Sequence, residues 1–187
     1  MGNVRRPLPV KLFIGMLSVE PSLFDACADI FGKKYGPLDF QSGILPWDRT
    51  DYYQDELGHG IVRKFIFFER LIDPAELPEV KLFTNGIETE FSTHAGDADR
   101  RRINLDPGYV TEAKVVLATT KDFAHRIYIG SNIYAEVTLR YGLKDRSFAA
   151  FDHTYPDYRT AAYLTVFNEA RSLSRTALPK MMDREVY

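Results

Sequence analysis

The sequence predicts one α+β domain, an antiparallel or mixed sheet with about three or four packed helices, and three observations predict it. Apolar runs and alternations of strand length are interleaved along the chain with stripes at helical spacing. No low-complexity tract, internal repeat or linker divides the 187 residues, a usual length for one domain. Hydrophobic residues make up 45% of the chain, enough to bury a core without help from a metal or a disulfide.

The first element is a nearly continuous apolar run over residues 10–17, the pattern of a strand covered on both faces. Gly15-Met16-Leu17-Ser18 leads into a helix with Pro21 in its first turn and Leu23, Phe24, Cys27, Ile30 and Phe31 as its apolar stripe. Gly36-Pro37 stops it. A second strand spans 38–45, ending at Pro46-Trp47, and a long third spans 59–72 with Arg63 and Lys64 interrupting its hydrophobes. Between them lies a tyrosine-bearing loop, 48–58. Asp73-Pro74-Ala75-Glu76 has the N-cap Asp, first-turn Pro and third-position Glu of a capping box. The helix restarts at Pro78 with Val80, Phe83, Ile87 and Phe91 on one face, leaving Lys81, Asn85 and Glu88 on a neighbouring polar face.

Residues 93–102 read as a mobile polar loop in which Arg100, Arg101 and Arg102 are offset by Asp97 and Asp99. Strand character resumes at 103–105 and breaks at Asp106-Pro107-Gly108, whose order is that of a tight turn. Residues 111–119 fit a short helix capped by Thr111 or a buried strand, and the reading leans to helix. Residues 125–129 and 133–141 form a hairpin. A three-residue loop, Gly130-Ser131-Asn132, sets Ile129 opposite Ile133, Tyr128 opposite Tyr134, Ile127 opposite Ala135, Arg126 opposite Glu136 and His125 opposite Val137, which gathers an apolar face. A further strand spans 148–154, and a last helix, 160–174, turns Tyr163, Val166, Phe167, Ala170 and Leu173 inward. The domain is read as residues 1–187, with 1–8 and 175–187 as frayed tails.

Lys and Arg total 24 against 26 Asp and Glu, so no long-range field favours nucleic acid or an anionic membrane. No stretch has the apolar length of a membrane span, and Arg6 stands where a myristoylation signal needs Ser or Thr. A single cysteine, Cys27, with no secretory leader, fits a reducing cytoplasm. Thirteen Phe and eleven Tyr exceed a minimal core and are compatible with an aromatic groove or a contact between copies of the chain.

The motifs of known chemistry are absent. There is no phosphate-binding G-x-x-x-x-G-K-[ST], no G-x-S-x-G elbow, and Thr120-Lys121-Asp122 lacks the spacer of the guanine-reading motif. His59, His94, His125 and His153 are scattered, so no metal and no cofactor is assigned. Thr84-Asn85-Gly86-Ile87-Glu88, Asn104-Leu105-Asp106-Pro107-Gly108-Tyr109, residues 117–122, His125-Arg126-Ile127-Tyr128 and residues 133–139 and 154–158 together resemble the domain-of-unknown-function family 4416 of bacteria and archaea. With Gly15-Met16-Leu17-Ser18 and Phe24, the resemblance covers almost the whole chain and implies no activity.

One polar constellation remains, on short turns and strand ends between 104 and 159, where sites are commonly held. Lys121, Arg126 and Arg159 suffice to clamp an anion, with Asn104, Tyr109, Tyr155, Asp157 and Tyr158 as further binding groups. His125 can move a proton while Asp106 or Glu136 orients it. The same residues also fit structural roles, Arg126 and Glu136 as a cross-strand ion pair and Asp106 as a turn cap. The leading expectation is an enzyme or binding protein for an anionic, phosphorylated or nucleotide-like small molecule. Its rival is an adaptor or structural protein that binds another protein through an aromatic surface.

Overall fold

A computed structural model describes residues 2–49, 52–95 and 98–177. In chain order the elements are β1 (Val10–Ser18), α1 (Ser22–Tyr35), β2 (Leu38–Gln41), β3 (Leu45–Pro46), α2 (Gln54–Leu57), β4 (Val62–Ile72), α3 (Leu77–Glu90), β5 (Thr93–Ala95) and β6 (Ala98–Arg100). They continue with β7 (Asn104–Val110), β8 (Lys114–Thr119), β9 (Ile127–Gly130), β10 (Ile133–Gly142), β11 (Ser147–Ala150) and α4 (Ala161–Ala177). Among the described residues nine strands form one antiparallel sheet in the order β11-β10-β8-β7-β1-β4-β2, with β3 paired to β4 and β9 to β10. The α+β class is as the sequence predicts.

Alternation along the central strand divides the core. Leu12, Ile14 and Met16 of β1 join Phe24, Cys27 and Phe31 of α1 and Val80 and Ile87 of α3 on one face of the sheet. Phe13 points the other way, into an aromatic cluster with Phe65 and Phe67 of β4 and Tyr163 and Phe167 of α4. Both faces are covered, which is why residues 10–17 carry hydrophobes without alternating. Lys11 is the exception: its Nζ reaches Asp39 of β2 and the Phe68 carbonyl at 3.0 Å, so its charge is paired. Among the described residues no helix is long and apolar enough to cross a membrane.

The capping box forms as read: Asp73 accepts from the Ala75 amide at 2.9 Å and Glu76 from the Asp73 amide at 2.9 Å. Other expectations are corrected. Residues 114–119 are strand, because β8 fills the place between β7 and β10 and its Val115 to Ala118 are buried there. Residues 93–95 and 98–100 pair as a two-stranded ribbon, while Gly96 and Asp97 lie outside the described residues. Strand 38–45 breaks into β2 and β3, with the Ser42 hydroxyl accepting from the Phe65 amide at 2.9 Å between them. Strand 148–154 ends at Ala150. The final helix continues through Ala177, past the start of the expected frayed tail, and 178–187 lie outside the described residues.

The β9–β10 turn is tighter than expected. Ser131 and Asn132 take φ of 52° and 59°, Gly130 pairs with Ile133, and Ile129 is the extra residue of a bulge. Tyr128 faces Tyr134 and Ile127 faces Ala135 in the expected register, but Ile127 is exposed, so burial did not select that face. Arg126 and His125 precede the paired strand.

The expected turn at Asp106-Pro107-Gly108 is continuous strand: β7 pairs with β1 from Asn104 to Val110. Pro107 is accommodated because the ladder to β8 begins only at Gly108, leaving its missing N–H on an unpaired edge. Gly108 is required by contact. An added Cβ would lie 2.3 Å from the Val116 carbonyl and 2.6 Å from the Phe13 ring. Gly108→Ala is expected to destabilise by about 1–3 kcal/mol or more. Gly86→Ala, in α3 with nothing within 4 Å, is expected to stabilise by up to about 1 kcal/mol. Urea denaturation of the two variants checks the contrast.

Cys27 is buried in the first core and desolvation pushes its thiol up to about 12, with Glu88 adding to the shift. The native protein is expected to resist a thiol reagent at neutral pH, reacting at full rate only once unfolded. Rapid native labelling would contradict the placement.

Candidate functional site

Strands β7 and β8 part company at one end of the sheet. Their ladder runs through Val110↔Val115, Tyr109↔Val116 and Gly108↔Leu117 and stops, so 104–107 and 118–121 diverge. A parted strand exposes backbone groups that a neighbour would have satisfied. Two side chains of α3 take that role: Lys81 Nζ donates to the Leu105 carbonyl at 2.8 Å and Glu88 Oε1 accepts from the Leu105 amide. Lys81 and Glu88 are seven residues apart, two helical turns, and so share a face. The gap is a cavity of about 490 Å³, within the range of small-molecule clefts.

Its floor is charged and buried. Arg63 of β4 donates from Nη1 to Asp106 Oδ2 at 2.8 Å and from Nη2 to Asp157 Oδ2 at 3.3 Å, and its guanidinium carbon lies 5.4 Å from the Phe65 ring centre. Burial works against this charge, but the surrounding Tyr158, Tyr163, Asp106 and Asp157 outweigh it, and Arg63 stays protonated. For Asp106 burial likewise opposes ionisation, and the charges of Arg63 and Lys81 overcome it, holding the carboxyl below its usual range. Glu88 goes the other way. Burial raises it, and Lys81, Arg101 and the Leu105 amide pull it only part of the way back. Asn104, also on the floor, is 3% exposed; its Nδ2 makes no hydrogen bond within 3.5 Å among the described residues but lies close enough to Asp106 to favour the ionised carboxylate.

The mouth is aromatic. Tyr52 meets Tyr53 edge-on at 4.9 Å, Tyr53 lies 5.6 Å from Trp47, and Lys121 sits 4.7 Å above the Tyr52 ring and donates to its hydroxyl. Arg101 ties this side together, reaching Glu56 at 2.7 Å and Glu88 at 3.1 Å. Across the opening, Arg126 is built into the wall: Nε donates to Glu136 at 2.8 Å, Nη1 to the Lys121 carbonyl at 3.0 Å and Nη2 to the Tyr155 hydroxyl at 2.7 Å, with the Phe123 ring 4.7 Å away.

Of the residues singled out in the sequence, Asn104, Asp106, Lys121, Arg126, Glu136, Tyr155, Asp157 and Tyr158 line this one cavity. Three do not. Arg159 turns away to the carbonyls of Thr154 and Asp152, each at 2.7 Å, and Tyr109 packs into the core. His125 reaches Glu136 at 3.1 Å by its side chain, but its ring stacks on His153 at 4.5 Å outside the lining. Asp106 partners Arg63 and caps no turn. Sequence reasoning missed Arg63, Lys81, Glu88 and Arg101 as lining groups. The available signals were a charge inside an apolar strand and polar residues at 81, 85 and 88 on one helical face. Among the described residues no three His, Cys, Asp or Glu are placed to hold a metal.

The raised Glu88 has a measurable consequence. A proton held more tightly by the folded than the unfolded state adds stability that is complete below the unfolded glutamate value of about 4.3 and is lost as pH rises through the native value. The urea midpoint of the wild type, taken relative to Glu88→Gln, is therefore expected to fall as pH rises above the unfolded glutamate value of about 4.3. The depressed Asp106 has the opposite sign: its contribution is present above about pH 4 and is lost under stronger acid. A wild-type to Glu88→Gln difference that does not change with pH would contradict the Glu88 assignment.

Comparison with curated proteins and with solved structures finds no match. A family model described as a domain of unknown function (DUF4416) matches residues 8–173. The match spans the nine-stranded sheet, α1, α3, most of α4 and every residue of the cleft, and the chain belongs to that family.

Proposed function

We propose that the protein binds an anionic small molecule, phosphorylated or nucleotide-like, in the cleft between β7 and β8. The observation that carries this reading is the charge balance of the lining. Arg63, Lys81, Arg101, Lys121 and Arg126 face Glu88, Asp106, Glu136 and Asp157, five cations to four carboxylates in the lining, with Glu56 just outside it on Arg101. Arg63, Arg101 and Arg126 are held by carboxylates. Lys81 and Lys121 have no carboxylate within 4.0 Å among the described residues, so they are the lining cations not committed to an ion pair. In a cleft with buried walls two such cations attract an anion more strongly than they would at an open surface. The reading is one of binding, since His125 lies outside the lining and no proton transfer is assigned to it.

A second reading, an adaptor, is favoured by one observation: the arm from Phe123 to Tyr128 exposes Phe123, Ile127 and Tyr128 beside the cleft mouth. The two readings separate in a thermal-shift screen of phosphosugars, nucleotides and dicarboxylates. A ligand at a hundred times its Kd stabilises by about 2.7 kcal/mol, roughly 5–11 °C for a chain of this size. Lys81→Met is expected to abolish the shift while Ile127→Ser leaves it intact. No shift with any compound, together with a partner lost on Ile127→Ser, would favour the adaptor.

A further inference from the structure

We infer that the ligand is a ring-bearing monophosphate of the nucleoside monophosphate class, seated with its phosphate inward on Lys81 and Asn104 and its ring at the mouth against Tyr52 and Phe123. This rests on the anion-binding reading above and goes beyond it by assigning each end of the ligand.

The inner end follows from hydrogen-bond accounting. Buried polar groups are almost always partnered. Asn104 Nδ2 lines the cavity and is buried, makes no hydrogen bond within 3.5 Å among the described residues, and has only the nearby Asp106 carboxylate as a looser neighbour. Lys81 Nζ is also buried and uses one of its three hydrogens on the Leu105 carbonyl, leaving donors for a second acceptor. The two are brought together by neighbouring residues of one strand, Asn104 itself and the Leu105 to which Lys81 is tied. Arg63 bridges Asp106 and Asp157, and Lys81 adds the second positive charge that balances these two carboxylates against an incoming oxyanion. Arg126, one of the three cations the sequence pointed to, has Nε, Nη1 and Nη2 engaged in the wall. One ammonium and one amide match a single terminal phosphate rather than a chain of them.

The outer end is set by exposure. Tyr52 is 64% exposed and Phe123 56%, both at the mouth, with Tyr53 and Trp47 packed behind Tyr52. Each ring already carries a cation at 4.7 Å, Lys121 on Tyr52 and Arg126 on Phe123, and the aromatic surface left exposed offers a planar ring a place to stack. Neither group suits a small inorganic anion, which has no face to stack.

Calorimetric titration with the four nucleoside monophosphates, their nucleosides, ribose 5-phosphate and inorganic phosphate tests both ends. At least one monophosphate is expected to bind about tenfold or more tighter than both its nucleoside and ribose 5-phosphate. Asn104→Ala and Lys81→Met should each bring that nucleotide toward the affinity of its nucleoside while leaving the nucleoside unchanged, and Tyr52→Ala should bring it toward ribose 5-phosphate. Asn104→Ala breaks no hydrogen bond within 3.5 Å and leaves Asp106 its ion pair with Arg63, so it serves if Lys81→Met fails to fold. If ribose 5-phosphate equals every nucleotide, the ring assignment is overturned and the anion reading stands. If Lys121→Ala abolishes binding while Asn104→Ala and Lys81→Met do not, the inward orientation is overturned. If none of these probes binds, the inference is overturned, and the broader screen of anions decides the reading beneath it.

Discussion

The cleft depends on Leu105 being satisfied from the side. Where β7 leaves β8, its inner edge would present a buried amide and carbonyl with no strand to meet them, at a cost of about 1–3 kcal/mol for each group. Lys81 and Glu88 meet both. The next residue whose backbone turns to that edge is Pro107, which has no N–H to leave unmatched. The strand rejoins β8 at Gly108, where no side chain would fit beneath the Val116 carbonyl. Three consecutive needs are thus answered by three residue types, and α3 is held in place for its part by the capping box at Asp73.

The floor and the mouth differ in how firmly their charges are held. Arg63 lies between two carboxylates and two aromatic rings, on the face of the sheet that Phe65, Tyr163 and Phe167 fill. A buried pair of this kind contributes fixed geometry more than net stability, and it is little affected by salt. Lys121 at the mouth stands in water and is screened. The polarity of the cleft is therefore built into the core at its inner end and only modulated at its outer end.

Much of this was legible in the sequence and part was not, for identifiable reasons. The helices at 22–35 and 77–90 carried stripes and stop or start signals that local chemistry dictates. Asp106-Pro107-Gly108 misled because its turn chemistry is real, yet pairing with β1 overrides it. Residues 111–119 misled because a strand buried on both faces has no period to read. The constellation from 104 to 159 gathered eight residues that meet in the cavity, since the end of β7, the arm before β9 and the turn before α4 fold together. Arg63 and the α3 pair were out of reach because their importance comes from a gap between strands, which only topology creates.

The sheet also ends well. Each of its borders is divided into two short strands: β2 and β3 lie along β4, and β9 and β11 lie along β10. None exceeds four residues, and β2 carries the Asp39 that pairs with Lys11. A long, flat border is a template on which another chain can add a strand and begin an aggregate. Broken borders offer no such run of free backbone groups. A protein that keeps a cleft open by parting two interior strands therefore exposes little at its margins that would let copies polymerise edge to edge.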